Sequence, residues 1–303
     1  MAIEVLVIPP GERLHSERAH CLTASDVPAA IGLSPFKSRL TLYAEKAGLI
    51  GQQPDNESMK RGRWLESAAI TGMREQFPGR RIIQPNVFVR DPDIRLGCTP
   101  DALTEDPETG GLVNLQIKCT SPSAHAKWND VVPDYYQVQV ATENLLLDTA
   151  YGTLCVLIVD GYSARLEYYD IPRHPKAEAQ IREIANVFWR NIANGVMPDP
   201  DYDRDAETIS ALFPKPIPGP TLDLSADNML PAILRERAML KAAMTAEQAR
   251  LDAIEAEIKR KLGTADTAEL PGWHITWKQQ SRKEHIVAAS TFRRLLVTEN
   301  DAA

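Results

Sequence analysis

The chain has 303 residues, 44% of them hydrophobic, enough for one large core or two domains. Its 25% charged residues are ordinary for a water-soluble protein, and no apolar run approaches the ~20 residues that a membrane-spanning helix needs. A net charge of −7 counts mildly against a nucleic-acid binder, although a protein that works through one groove needs only a local basic patch.

In chain order, the first residues read as an edge strand ended by Pro9-Pro10; without a basic segment before its short apolar run, this is not a secretory signal. Ser25 can cap a short helix carrying Val27, Ala30 and Ile31, which Gly32 ends. Ser38 can cap the next, with Leu40, Tyr43, Ala44 and Ala47 at helical spacing and Gly48 as its stop. A third helix spans about Ser58 to Phe77 and is closed by Pro78-Gly79. The period then changes to two, giving strands over Ile82–Val89, Ile94–Thr99 and, after a turn at 106–111, Leu112–Lys118. In the last of these Val113, Leu115 and Ile117 share one face, and Asn114, Gln116 and Lys118 the other. A helix from about Asp134 to Leu147, strands near Tyr151–Val159 and Leu166–Ile171, and a helix from about Lys176 to Asn194 follow.

Composition shifts after this. Residues 1–200 form one domain and 201–221 a proline- and aspartate-rich, semi-rigid connector; 222–303 form a helical arm and hairpin. The arm is one long helix over about Leu230 to Leu262, with Ile233, Leu240, Met244, Leu251, Ile254 and Ile258 at heptad spacing, interrupted by Arg237 and Glu247. Gly263 ends it, and Trp273, Ile275 and Trp277 then alternate as in a hairpin strand. The apolar stripe needs a partner surface, either another chain, as in a homo-oligomer, or the first domain itself. The cysteines Cys21, Cys98, Cys119 and Cys155 contain no C-x-x-C pair, so neither zinc nor an iron–sulfur cluster is indicated; reduced, mostly buried thiols of a cytosolic protein are expected.

The residues that carry chemistry are Thr99-Pro100-Asp101, then a turn, then Leu115-Gln116-Ile117-Lys118. Residues i and i+2 of a strand share a face, so a polar oxygen ligand at 116 and the ammonium of Lys118 meet at one point, with Asp101 beside them. Oxygen ligands hold a hard divalent cation, and a lysine there orients a water or balances developing negative charge. Glu66, in Gly62-Arg63-Trp64-Leu65-Glu66, is a further carboxylate, though a helix glutamate is by default a solvated one. Basic candidates for a phosphate-lined groove are dispersed: Arg13, Arg18, Lys37, Arg39, Lys60, Arg61 and Arg63.

Several motifs in order resemble the YqaJ-like viral recombinase family: Thr23 to Asp26 with Gly32 to Ser38, Gly62 to Glu66, Leu96 to Asp101, Gln116 to Cys119, Trp128, and Tyr135-Tyr136-Gln137-Val138-Gln139. The resemblance covers about the first two-thirds of the chain. It implies an α/β nuclease core of the PD-(D/E)-x-K type, a mixed sheet flanked by helices. It also implies magnesium- or manganese-dependent 5′ to 3′ digestion of one strand at double-stranded DNA ends, in the cytoplasm, with the product passed to a single-strand annealing protein. The family's metal-binding aspartate falls on Asp101, its lysine on Lys118 and its helix glutamate on Glu66, while Ile117 offers a backbone carbonyl to the metal. Arg18 stands where the family places the arginine that receives the 5′-phosphate, with Ser25 as a supporting hydroxyl; Lys37, Arg61, Arg63, Gln137 and Gln139 are the further candidates for contact with DNA. The departure is Gln116, where the family has glutamate or aspartate. Either Glu66 and Asp101 supply the charge, or the chain is an impaired enzyme that binds DNA ends.

Overall fold

Residues 2–9, 15–52, 54–216, 221–282 and 293–298 are described by the computed structural model. Arg13 and Pro10, and residues 217–220 of the expected connector, lie outside the described residues. The chain divides into two units, Met1–Pro214 and Lys215–Ala303.

In the first unit, strand β1 (Glu4–Val7), helix α1 (His15–Ala19), strand β2 (Leu22–Thr23), and helices α2 (Val27–Ala30), α3 (Arg39–Lys46) and α4 (Glu57–Gln76) come first. Strands β3 (Val87–Asp91), β4 (Leu96–Cys98), β5 (Ala102–Glu105) and β6 (Leu112–Thr120) follow, then helix α5 (Pro122–His125), a 3-10 turn at Ala126–Trp128, and helix α6 (Asp134–Leu147). The unit closes with β7 (Tyr151–Val159), β8 (Ala164–Pro172), α7 (Pro175–Ala193) and α8 (Ala206–Leu212). Two four-stranded sheets result, ordered β1-β3-β4-β2 and β5-β6-β7-β8. The second is mixed: β6 and β7 run parallel, and both edge strands pair antiparallel. A parallel pair needs a crossover, which α6 supplies between β6 and β7.

The alternation along β6 decides which side of this sheet is greasy. Val113, Leu115 and Ile117 pack with Ala69, Ile70 and Met73 of α4 in one core cluster. Asn114 and Gln116 point the other way, towards α6. Helix α6 lies so close to β7 that a Cβ on Gly152 would stand 2.4 Å from Val140 Cγ1 and 2.5 Å from Asn144 Oδ1, so only glycine fits there. A second core joins α2, α6 and α7 to β4, with Leu22, Val27, Leu96, Leu145 and Trp189 among its members.

Several expectations need correction. The N-cap of α2 is Asp26, which makes no side-chain capping bond, and Ser25 instead shares a hydrogen bond with Thr23 at 3.0 Å. The strand expected over Ile82–Val89 starts only at Val87; Pro85 and the left-handed Asn86 (φ 47°) interrupt it, and Ile83 makes an isolated bridge to Leu103. Strand β5 was not foreseen. Nor was α8, which lies inside the stretch read as connector. Asp205 at its start is 0% exposed, accepting hydrogen bonds from Ser38 Oγ and from Thr41 Oγ1 at 3.2 Å. Ser38 caps α3 as its sequence position indicates, accepting from the Thr41 N–H at 3.0 Å.

The second unit holds helix α9 (Leu230–Leu262), ended by the left-handed Gly263 (φ 60°), and a hairpin of β9 (Thr267–Leu270) and β10 (Trp273–Thr276). No helix among the described residues is long and apolar enough to cross a membrane.

Candidate active site

The β5–β6 ladder begins at the pair Ala102–Leu115. Beyond it no strand among the described residues pairs with β6 on that edge, and Asp101, the residue before β5, fills the space. Its Oδ2 accepts the Ile117 N–H at 2.8 Å and the side-chain NH2 of Gln116. An ionised carboxylate only accepts, so facing one Gln116 turns its nitrogen to Asp101. Its carbonyl oxygen Oε1 is then left buried with no hydrogen-bond partner, on a residue only 3% exposed. The Ile117 carbonyl lies on the same edge, 3.5 Å from the Gln116 nitrogen. Lys118, next on the same face of the strand, holds its ammonium over the Tyr136 ring at 5.4 Å from the centroid.

The charges at this edge strain against burial. Burial pushes the Asp101 carboxyl up, countered by Lys118, the Ile117 N–H and Arg18. Glu66, from α4, is pushed up to about 7 by burial and by repulsion from Asp101, with Lys118 and a hydrogen bond from Gln84 opposing. A buried carboxylate whose proton affinity is raised by a neighbouring carboxylate marks a region of negative potential that a cation relieves. Arg18, from α1, donates to Thr99 Oγ1 at 2.7 Å, which places its guanidinium two residues from Asp101.

Among the described residues, no group of three or more His, Cys, Asp or Glu is arranged to hold a metal ion. The donor set for one here is mixed: the carboxylates of Asp101 and Glu66, the amide oxygen of Gln116 and the Ile117 carbonyl. All are hard oxygens, which suit magnesium or manganese rather than zinc. The orphaned Gln116 oxygen fits such a cation, since a buried polar atom without a partner is otherwise costly.

The YqaJ-like viral recombinase domain model matches residues 14–146, a span containing Arg18, Glu66, Asp101, Gln116 and Lys118. Among solved structures, the chain is similar to an alkaline exonuclease from Laribacter hongkongensis, at 21% identity and a TM-score of 0.50 over 64% of this chain and 97% of that one. The same exonuclease in complex with dAMP gives 19% identity and a TM-score of 0.48, over 64% and 96%. A phage related exonuclease from Haemophilus somnus 129PT gives 12% and 0.43, over 58% and 96%. At these identities the likeness is one of fold alone, a mixed sheet flanked by helices. No curated protein matches the chain.

Within the matched span the residues expected for DNA contact are unequally placed. Lys37 is paired with Glu45 at 2.5 Å, Lys60 with Glu57 at 2.7 Å and Arg63 with Asp55, whereas Arg61 is exposed and makes no ion pair among the described residues. Gln137 donates to the Val132 carbonyl at 2.7 Å, fastening the turn into α6. Gln139 donates to Glu143 at 3.0 Å. Sequence reasoning missed Glu143 entirely. It is 1% exposed, accepts from Asn114 Nδ2 at 2.8 Å, and is pushed up to about 7, chiefly by burial and then by Asp101. A polar seam therefore runs between β6 and α6, from Glu143 through Asn114 and Gln139 towards Gln116. The i, i+4 pair Gln139–Glu143 was a visible signal, but not that its face is buried. Cys98 and Cys119 flank the site, and burial raises both thiols, which keeps them protonated and unreactive.

Proposed function

We propose that this chain is a metal-dependent DNA exonuclease, resecting one strand of linear duplex DNA 5′ to 3′ and leaving the other for a single-strand annealing protein. The observation that carries this reading is the β6 edge inside the span that matches the YqaJ-like model, where Asp101 accepts from the Gln116 amide and the Ile117 N–H, the Ile117 carbonyl lies beside that amide, and Lys118 is near enough to act on the Asp101 charge. The similarity in fold to an alkaline exonuclease supports it.

In this reading Asp101, Glu66, the Gln116 oxygen and the Ile117 carbonyl hold magnesium or manganese, which when bound polarises the phosphate and acidifies a water. Lys118 brings a fixed positive charge to the reacting phosphate, where a donor in a water-poor site is worth far more than in bulk. Its contact with Tyr136 keeps the ammonium from folding away along the strand. Arg18, tethered to Thr99, receives the terminal 5′-phosphate bidentately, with Ser25 and Thr23 hydroxyls nearby. Arg61 meets the duplex backbone directly, while Lys37 and Arg63 exchange their carboxylate partners for phosphates. Gln137 and Gln139 shape the groove rather than reach across it. A substrate of this kind puts the site of action in the cytoplasm of a bacterial or phage-infected cell.

One observation favours a second reading, a DNA-end-binding protein with weak turnover: the Gln116 amide occupies an Asp101 oxygen that a cation would use. Incubating linear and closed circular duplex DNA with magnesium separates the readings. An exonuclease degrades the linear form alone, and Lys118→Ala stops it. A weakened protein retards DNA ends on a gel without shortening them until Gln116→Glu restores a carboxylate. Degradation by Lys118→Ala at the native rate removes Lys118 from the chemistry.

A further inference from the structure

Helix α9 is exposed along nearly its whole length, and its apolar residues are not random. Ile233 (53% exposed), Leu240, Met244 (72%), Leu251, Ile254 and Ile258 recur at alternating spacings of three and four, with seven-residue steps where a charge intervenes. The two interruptions, Arg237 and Glu247, fall on the same stripe, at the positions that complete the alternation. Among the described residues of its own unit this apolar stripe is left uncovered, and the two charges on it specify which partner fits.

Suppose a second copy pairs in parallel, in register. Arg237 then meets its own copy, and so does Glu247, placing like charges together twice inside the seam, which is destabilising. Turn the second helix round and set Arg237 opposite the partner's Glu247. The two-fold symmetry then sets Glu247 opposite the partner's Arg237, so both interruptions are neutralised by the same register. That register also places Leu240 against the partner's Met244 and Ile233 against the partner's Leu251, so these apolar layers face apolar layers. Beside the seam it brings Glu236 near the partner's Arg250. It also sets Lys241 beside its own copy near the axis, where the long stems lie along the seam and the ammonium groups reach water. Roughly seven turns of each helix overlap. A buried Arg–Glu pair adds little stability, but it penalises every register that leaves either charge facing a hydrophobe, which is how such pairs fix orientation.

We propose that α9 is a self-association element: two copies of this chain pair through α9 as an antiparallel coiled coil whose register is set by reciprocal Arg237–Glu247 contacts. The proposal does not depend on the nuclease reading. Its test is association of the full chain, measured by size-exclusion chromatography with light scattering at about 1–50 µM, a range that spans micromolar dissociation constants. The native chain is expected to dimerise. Arg237→Glu and Glu247→Arg, each alone, create two like-charge encounters per dimer and are expected to weaken self-association by about tenfold or more. Mixing these two single variants makes every seam pair opposite again, so the mixture forms heterodimers; the double variant Arg237→Glu/Glu247→Arg regains self-association. Rescue also shows that the single variants are folded. A native chain monomeric at 50 µM, single variants that dimerise like the native chain, or a mixture and double variant that both remain monomeric would each overturn the proposal.

Discussion

Replacing Gln116 by glutamate probes the site most sharply, because its effect reverses with the cation. In the native chain the amide donates to Asp101 while its own carbonyl has no partner. A glutamate there sets two carboxylate oxygens at a separation of about 3 Å, a repulsion of about 5 kcal/mol at an effective dielectric of 20. The pair can escape by taking up a proton, which at pH 7.5 costs about 4 kcal/mol for an ordinary glutamate. The smaller figure sets the limit, and losing the hydrogen bond adds about 1 kcal/mol. Without metal at pH 7.5, Gln116→Glu should therefore lose about 3–5 kcal/mol, a drop of roughly 10 °C in Tm for a unit of this size. At pH 5 the proton is nearly free and most of the loss disappears. With millimolar manganese the second carboxylate becomes a ligand, and the variant should gain more Tm than the native chain does. Differential scanning fluorimetry in EDTA and in manganese, at both pH values, measures all four quantities. A variant as stable as the native chain in EDTA at pH 7.5, with no larger metal response, would refute the placement of residue 116 at a cation site.

Further outcomes follow from other parts of the structure. Arg18→Ala should erase any preference for 5′-phosphorylated over 5′-hydroxyl ends in a binding titration, leaving internal duplex affinity largely intact; a retained preference assigns the phosphate to another cation. Glu143 has a folded-state pKa above its unfolded value, so its contribution is complete below about pH 4.5 and is lost as pH rises through about 7. Glu143→Gln should thus gain stability relative to the native chain between pH 5 and pH 8, by at most about 3 kcal/mol, and parallel Tm–pH curves would contradict this. Asp205→Ala removes an acceptor buried beneath Ser38 and Thr41 and should cost about 2–4 kcal/mol. Truncation after Pro214 should likewise give a better-folded first unit than truncation after Pro200, by urea unfolding; equal stability would return α8 to the status of linker.

Much of this was legible from periodicity. The bounds of α6 and α9 were read almost to the residue, since each combines a sustained helical pattern with a definite end. The faces of β6 were equally clear: its alternation separates Val113, Leu115 and Ile117 from the polar edge. What escaped depends on tertiary contact. Strand β5 has only four residues and exists because β6 offers it a ladder. Helix α8 sits in a segment whose prolines and aspartates look like linker, and it is held by Asp205 pairing with residues more than 160 positions away. Nothing in the sequence pattern marks Glu143 as buried, and only the approach of α6 to Asn114 makes it a buried acid. The site itself was half readable. Spacing put Asp101, Gln116 and Lys118 together, but it could not show that the Gln116 amide binds Asp101 and leaves a bare oxygen behind.

The central claim is that the β6 edge hydrolyses DNA from an end. The most direct test follows a linear duplex carrying a 5′-phosphate, with the two strands labelled differently, through a time course with magnesium. The account predicts progressive loss of the 5′-phosphorylated strand as small products, an intact complementary strand, and no loss in EDTA or with Asp101→Ala. Both strands persisting at full length with magnesium and with manganese, in the native chain and in Gln116→Glu alike, would contradict it.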